Sequence, residues 1–167
     1  MVSLLPILIN FVLLTSVKAN ATFLTTDYLQ NGYCITTANE LYKVDSSGNL
    51  LTIYNQNRYG KLEFIDATNP MKLVLSYPTY GTLVLLDNKL TEISTLSLRT
   101  INIQSYSAAC FSSLDNNIWV FDAQDYKLKK IDRNNDIVVE SGDMFSLGGK
   151  ALHPVFMQEQ DQYVYLT

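Results

Sequence analysis

From Thr22 onward no stretch of the chain repeats its apolar residues at helical spacing. Short runs rich in Ile, Val, Leu, Tyr, Thr and Phe alternate instead with clusters of Asn, Asp, Gly and Ser. That alternation predicts strands joined by tight turns and an all-β protein. Three segments repeat one design. Glu40–Asp45 is followed by Ser46-Ser47-Gly48-Asn49-Leu50, Thr82–Asp87 by Asn88-Lys89-Leu90, and Lys127–Asp132 by Arg133-Asn134-Asn135-Asp136-Ile137. Each reads strand, aspartate, polar turn, strand. The aspartates lie 42 and 45 residues apart, the period of a four-stranded blade of roughly 40–45 residues rather than of a single hairpin.

The fold class that follows is an all-β propeller with four-stranded blades, about three and a half of them present. Blade 1 is predicted to use Phe23–Tyr28, Tyr33–Thr37, Glu40–Asp45 and Leu50–Tyr54. Blade 2 uses Lys61–Asp66, Lys72–Tyr77, Thr82–Asp87 and Leu90–Leu98, and blade 3 uses Ser107–Ser112, Asn117–Asp122, Lys127–Asp132 and Ile137–Ser141. A fourth blade begins with Pro154–Gln158 and Gln162–Thr167. The runs Leu83–Leu86 and Ile118–Phe121 are continuously apolar, as expected of strands buried on both faces between neighbouring blades. Asp45, Asp87 and Asp132 are read as turn formers rather than catalysts. A carboxylate at that place accepts backbone N–H groups two residues on, while the next Gly or Asn supplies a left-handed conformation. Closed propellers have about 4–8 blades, so the chain is expected to be the front of a longer protein, or else to self-associate.

Residues 1–19 change the picture of where the protein acts. Met1 to Leu14 is apolar apart from Ser3 and Asn10, and Thr15-Ser16-Val17-Lys18-Ala19 ends in small residues. The segment reads as a secretory signal peptide, leaving a partial propeller domain over 20–167 that is exported to the periplasm or the extracellular space. No membrane span is expected after its removal, and no lipid anchor, since the first cysteine is Cys34. Cys34 and Cys110 fall in non-adjacent blades, too far apart for the roughly 7 Å that a disulfide needs, and are expected to be buried free thiols. Asn20-Ala21-Thr22 is a sequon read as a chance occurrence.

Charge and motifs narrow the function classes. The whole chain carries a formal charge of −4, and loss of Lys18 makes it more acidic. Polyanion binders neutralise phosphates with clustered Lys and Arg, so nucleic acid is excluded as a partner. There is no P-loop, no Gly-x-Ser-x-Gly elbow, no His-Glu-x-x-His and no Cys-x-x-Cys, and no cofactor is called for. His153, the one histidine, is read as a loop residue before Pro154. Asp27, Asp66 and Asp122, near strand ends of successive blades, are the weaker alternative of a channel metal site, and the reading adopted is no metal. Trp119 is read as core. Tyr54, Tyr59, Tyr77 and Tyr80 stand among Asn, Arg, Pro and Gly, and are the candidate exposed ligand-binding aromatics for a sugar or a peptide.

The phrase Leu41-Tyr42-Lys43-Val44-Asp45-Ser46-Ser47-Gly48-Asn49-Leu50, a strand followed by Asp-x-x-Gly-x-Leu, resembles blades of exported bacterial β-propellers of the NHL, YVTN and PQQ-like kinds. Leu114–Asp122 is similar to the same blades, whereas the Trp-Asp and Gly-His pairs of WD40 repeats are missing. The resemblance covers most of 22–167 and implies a non-enzymatic binding or scaffold module with a protein or carbohydrate partner. The alternative it implies is an incomplete propeller enzyme, of metal-dependent lactonase or quinoprotein type, with its remaining blades beyond Thr167.

Overall fold

A computed structural model describes residues 20–167, so the signal-peptide reading of 1–19 lies outside the described residues. Blade 1 is β1 (Ala21–Thr26), β2 (Gly32–Thr36), β3 (Glu40–Val44) and β4 (Leu50–Asn55). Blade 2 is β5 (Phe64–Asp66), β6 (Leu73–Tyr77), β7 (Thr82–Leu86) and β8 (Glu92–Ser97). Blade 3 is β9 (Tyr106–Phe111), β10 (Ile118–Asp122), β11 (Lys127–Ile131) and β12 (Ile137–Glu140). A half-blade follows, β13 (Met157–Gln160) and β14 (Tyr163–Leu166). Every sheet is an antiparallel meander in chain order. The first strands β1, β5, β9 and β13 contact one another in sequence and so line the axis, with β4, β8 and β12 at the periphery.

The blades stack through two apolar layers and a smaller third. Ile35, Leu41, Leu73, Leu75, Val84 and Leu86 join blades 1 and 2. Val74, Leu83, Leu96, Phe111, Ile118 and Val120 join blades 2 and 3. Ala108, Cys110, Phe121, Leu128 and Met157 join blade 3 to the half-blade. The apolar runs expected to be buried on both faces are so except at Leu85 and Trp119, which are half-buried. Leu83 and Leu75 belong to different layers although β6 and β7 are paired, because alternate positions face opposite neighbours.

The repeated aspartates do what their spacing implies. Asp45 Oδ1 accepts from the N–H groups of Ser47 and Asn49 at 2.9 and 2.8 Å. Asp87 Oδ1 accepts from Lys89 and Thr91, both at 2.8 Å, and Asp132 Oδ1 from Asn134 and Asp136 at 2.8 and 3.0 Å. The residue three after each aspartate has positive φ: Gly48 at 83°, Leu90 at 63° and Asn135 at 67°. A leucine in that conformation is unusual, and Leu90 is held there by burying its side chain in the first apolar layer.

These hydrogen bonds favour the ionised carboxylate. For Asp45 the side-chain bond from Asn49 leads, and for Asp87 and Asp132 the backbone bonds from Thr91 and Asp136 lead. All three sit below the ordinary carboxylate value. A depressed folded-state pKa contributes stability that is complete above the unfolded value and lost as pH falls through the folded one. The melting temperature is therefore expected to fall between about pH 4 and pH 2. In the triple variant Asp45→Asn, Asp87→Asn, Asp132→Asn, thermal melts at each pH should show a shallower fall over the same range.

The structure also departs from the sequence expectations. Boundaries move by one to three residues, with β5 starting at Phe64 rather than Lys61. Short 3-10 turns occupy Asn57–Tyr59, Pro78–Tyr80 and Leu98–Ile101. A five-residue helix, α1 (Met144–Gly148), interrupts the linker into the half-blade, its first turn capped by Asp143 accepting from Phe145 N–H.

Candidate functional site

Three of the four candidate tyrosines come together, but as a joint between blades rather than an open platform. Tyr54 lies inside β4 with its ring toward blade 2, and its hydroxyl donates to Glu92 Oε1 at 2.8 Å. Glu92 opens β8 and receives Tyr59 and Arg58 on its other oxygen, at 3.0 and 2.6 Å. Tyr77 ends β6 beneath them, its ring 5.4 Å from that of Tyr59. Tyr54 and Tyr77 are buried, which corrects the expectation of exposed loop aromatics. The loop-like neighbours Pro78 and Gly60 begin one or more residues after each strand, and packing in the layer between blades 1 and 2 covers both rings. Burial pushes the Tyr77 hydroxyl up to about 12 and raises Tyr54 further. Burial also works against the Glu92 carboxylate, but the bonds from Tyr54, Tyr59 and Arg58 outweigh it and hold Glu92 below its ordinary value. Only Tyr59, half-buried under the Arg58 guanidinium at 4.6 Å, and exposed Tyr80 reach solvent.

The carboxylates considered for a metal do not converge. Asp27 accepts from Asn31 and from the Tyr33 hydroxyl inside blade 1. Asp66 reaches across to blade 3, where its Oδ2 accepts the Phe111 N–H at 2.6 Å, and burial raises its pKa despite that bond. Asp122 pairs with Lys129 at 2.7 Å. No group of three or more metal-ligating side chains occurs among the described residues. The axis beside Asp66 is lined by apolar groups, among them Phe23, Phe64 and Phe156, with Phe23 and Phe64 in edge-to-face contact at 5.9 Å.

Trp119 is half-buried at the junction with the half-blade rather than wholly in the core. Its Nε1–H donates to Glu159 at 2.8 Å, and the Lys130 ammonium sits 4.6 Å over the ring. Glu159 also accepts from Ser112 Oγ and Ser113 N–H, at 3.1 and 2.9 Å, so one side chain of β13 grips the end of β9. Burial works against its charge, and these donors together hold its pKa below the ordinary value. Cys34 and Cys110 are free and buried, as expected. His153 is exposed in the linker, against Tyr126.

Sequence reasoning passed over the inner hairpins. Tyr28 and Leu29 between β1 and β2, Met71 between β5 and β6, and Leu114 between β9 and β10 are each more than half exposed. Lys72 donates to Asn116 Oδ1 at 2.7 Å, tying the second hairpin to the third at one end of the stack. The available signal was an apolar residue inside the polar first turn of each of the three full blades, at differing offsets.

No family model matches the sequence, and no curated protein matches it. Among solved structures, virginiamycin B lyase from Staphylococcus aureus superposes with a TM-score of 0.63 at 14% identity, over 86% of this chain and 47% of that one. The WD40 domain of Neurospora crassa Pan2 gives 0.59 at 15% identity, over 87% and 43%. The β-propeller domain of Myceliophteria thermophila Cps50 gives 0.57 at 11% identity, over 80% and 42%. The chain thus spans less than half the length of these structures. The likeness reaches both a lyase and WD40 domains, and so it speaks to architecture alone. With its meander sheets, axial first strands and interblade layers, the chain has the fold of a β-propeller, represented by three blades and half of a fourth.

Proposed function

We propose that the chain acts as an exported, non-enzymatic binding module whose partner is a protein seated on the inner-hairpin end. The observation that carries this reading is the exposure of Tyr28, Leu29, Met71 and Leu114 on the first hairpins of three successive blades, which share one end of the sheets. Scattered exposed apolar side chains are ordinary, whereas a contiguous set rimmed by polar groups marks an interaction surface. The same turns carry polar Gln30, Asn69, Asp115 and Asn116, and the Lys72 to Asn116 bond joins two of them. The export reading is supported by the apolar run and small residues of 1–19. The non-enzymatic reading is supported by Asp27, Asp66 and Asp122, whose oxygens are engaged by Tyr33 and Lys129 within blades 1 and 3 and by the Phe111 N–H across blades. Tyr59 and Tyr80 remain the solvent-facing part of the tyrosine set; their turns lie at the opposite end of the strands from the inner hairpins, and they are a contact separate from that surface.

A random-peptide display library panned on the immobilised chain tests this. Selected peptides are expected to lose at least tenfold in affinity for Met71→Glu and Leu114→Glu. Both substitutions replace exposed side chains, and the melting temperature should stay within a degree or two. Peptides that bind both variants as tightly as the unsubstituted chain would overturn the reading.

A further inference from the structure

The position two residues before each repeated turn aspartate differs in charge from blade to blade. It is Lys43 in blade 1, Leu85 in blade 2 and Lys130 in blade 3, and the two lysines are each only 6% exposed. Each stands opposite an aromatic residue of the preceding strand, Lys43 opposite Tyr33 and Lys130 opposite Trp119. Each holds its ammonium over that ring, at 5.6 and 4.6 Å from the centroid. The likeness ends at the counter-charge. Lys130 has Asp115 Oδ2 at 2.7 Å and Glu159 Oε1 at 3.7 Å. Lys43 donates to the Asn88 carbonyl in the β7–β8 turn at 2.7 Å, and among the described residues no carboxylate pairs with it. Residues 1–19 contain no Asp or Glu that could do so.

A hollow of about 350 Å³ opens beside this ammonium, lined by Lys43, Leu51, Thr52, Asn88 and Lys89. Its walls are β3 and β4 of blade 1 and the β7–β8 turn of blade 2. These are successive blades already packed on each other, so no further blade can enter between them. An ammonium has three donors, and Lys43 uses one of them on Asn88. A buried charge is ordinarily paired.

We propose that this cleft binds a small organic carboxylate. The ligand ion-pairs with Lys43 and supplies in blade 1 the counter-charge that Asp115 and Glu159 supply in blade 3. Thr52, opposite Lys43 on β4, brings a hydroxyl to the same hollow, and Leu51 gives an apolar wall for the carbon chain. Lys89, exposed on the β7–β8 turn, adds a second positive charge that draws anions in. The hollow lies at the small end of ligand sites, which run from roughly 300 to 1,000 Å³, and so suits an acid of a few carbons. The site makes no use of Met71 or Leu114.

Calorimetric titration of the full chain with succinate at neutral pH and low chloride tests this, with inorganic phosphate titrated in parallel. Succinate is expected to bind and to raise the melting temperature, since a ligand that binds only the folded state stabilises it. Lys43→Met should weaken binding at least about tenfold, the scale of a hydrogen bond to a charged group. Lys89→Met, at an exposed position, should weaken it about threefold. Thr52→Glu leaves the lysine in place and sets a carboxylate opposite it, with about 5 Å between Cβ atoms. That variant should melt higher without ligand and no longer bind succinate. Thermal melts check that each variant folds. Met71→Glu should bind succinate as the unsubstituted chain does, which separates this test from that of the hairpin surface. An unsubstituted chain that does not bind succinate overturns the inference. So does undiminished binding by folded Lys43→Met or Thr52→Glu, or phosphate binding more tightly than succinate.

Discussion

Replacing Phe121 by alanine is expected to lower the unfolding free energy by about 3–5 kcal/mol. The ring is wholly buried on β10, with Ala108 opposite it on β9 and Leu128 opposite it on β11. Met157 of the half-blade closes the same layer. Its neighbours are backbone-anchored strands, which limits how far the site can collapse into the space left behind. Trp119 is the only tryptophan and lies two residues before the substituted position, so its emission follows the event. In urea titrations the midpoint should fall, and native-state emission should move to longer wavelength as the Glu159 and Lys130 contacts loosen. A loss below about 1 kcal/mol, the scale of an ordinary surface change, would show that the half-blade is not packed on blade 3.

Asp122→Ala has a comparable expected effect by a different route. Lys129 is nearly inaccessible, bonded to Asp122 at 2.7 Å and to more exposed Asp125 at 3.0 Å. Removing Asp122 strands an ammonium between blades 2 and 3, and breaking a buried pair in this way costs about 3–5 kcal/mol. Removing both charges together, as Asp122→Leu with Lys129→Met, should recover most of that loss, because apolar replacements of a buried pair are often close to neutral. Burial works against the charge on Lys129, but hydrogen bonds to Asp122 and Asp125 outweigh it, leaving the pKa above the ordinary lysine value. A raised lysine contributes stability that is complete below the unfolded value and lost as pH rises through the folded one. Alkaline unfolding is thus expected above about pH 10.5, and urea titrations of the double variant should show a weaker slope there. A single substitution as mild as the double one would contradict this account.

The residues that announced the fold act locally. Asp45, Asp87 and Asp132 each bond to backbone within four residues, so their chemistry is written in the adjacent sequence and their spacing exposes the blade period. The runs Leu83–Leu86 and Ile118–Phe121 were equally legible, since only a strand between two covered faces needs every side chain apolar. The tyrosine set was misread for the complementary reason. Tyr54 and Tyr59 meet Glu92 from 38 and 33 residues away, Tyr77 packs against Tyr59, and Pro78 and Gly60 nearby looked like open loop. Leu90 gave no sign of a left-handed backbone, because tertiary burial rather than residue type holds it there. The short helix α1 did leave a trace, Asp143 followed three residues later by Ser146, which together close its first turn.

The meander order of the sheets bears on how the molecule comes into being. Within each sheet every strand after the first pairs with the one synthesised just before it, and each new blade packs on the blade completed earlier. Among the described residues no strand waits for a distant partner, so loop-closure entropy stays small at every step. The N-terminal blade can finish its backbone pairing while the third is still inside the ribosome. The chain can therefore leave the ribosome, and cross a membrane if it is exported, as a succession of small folded increments rather than in one global collapse.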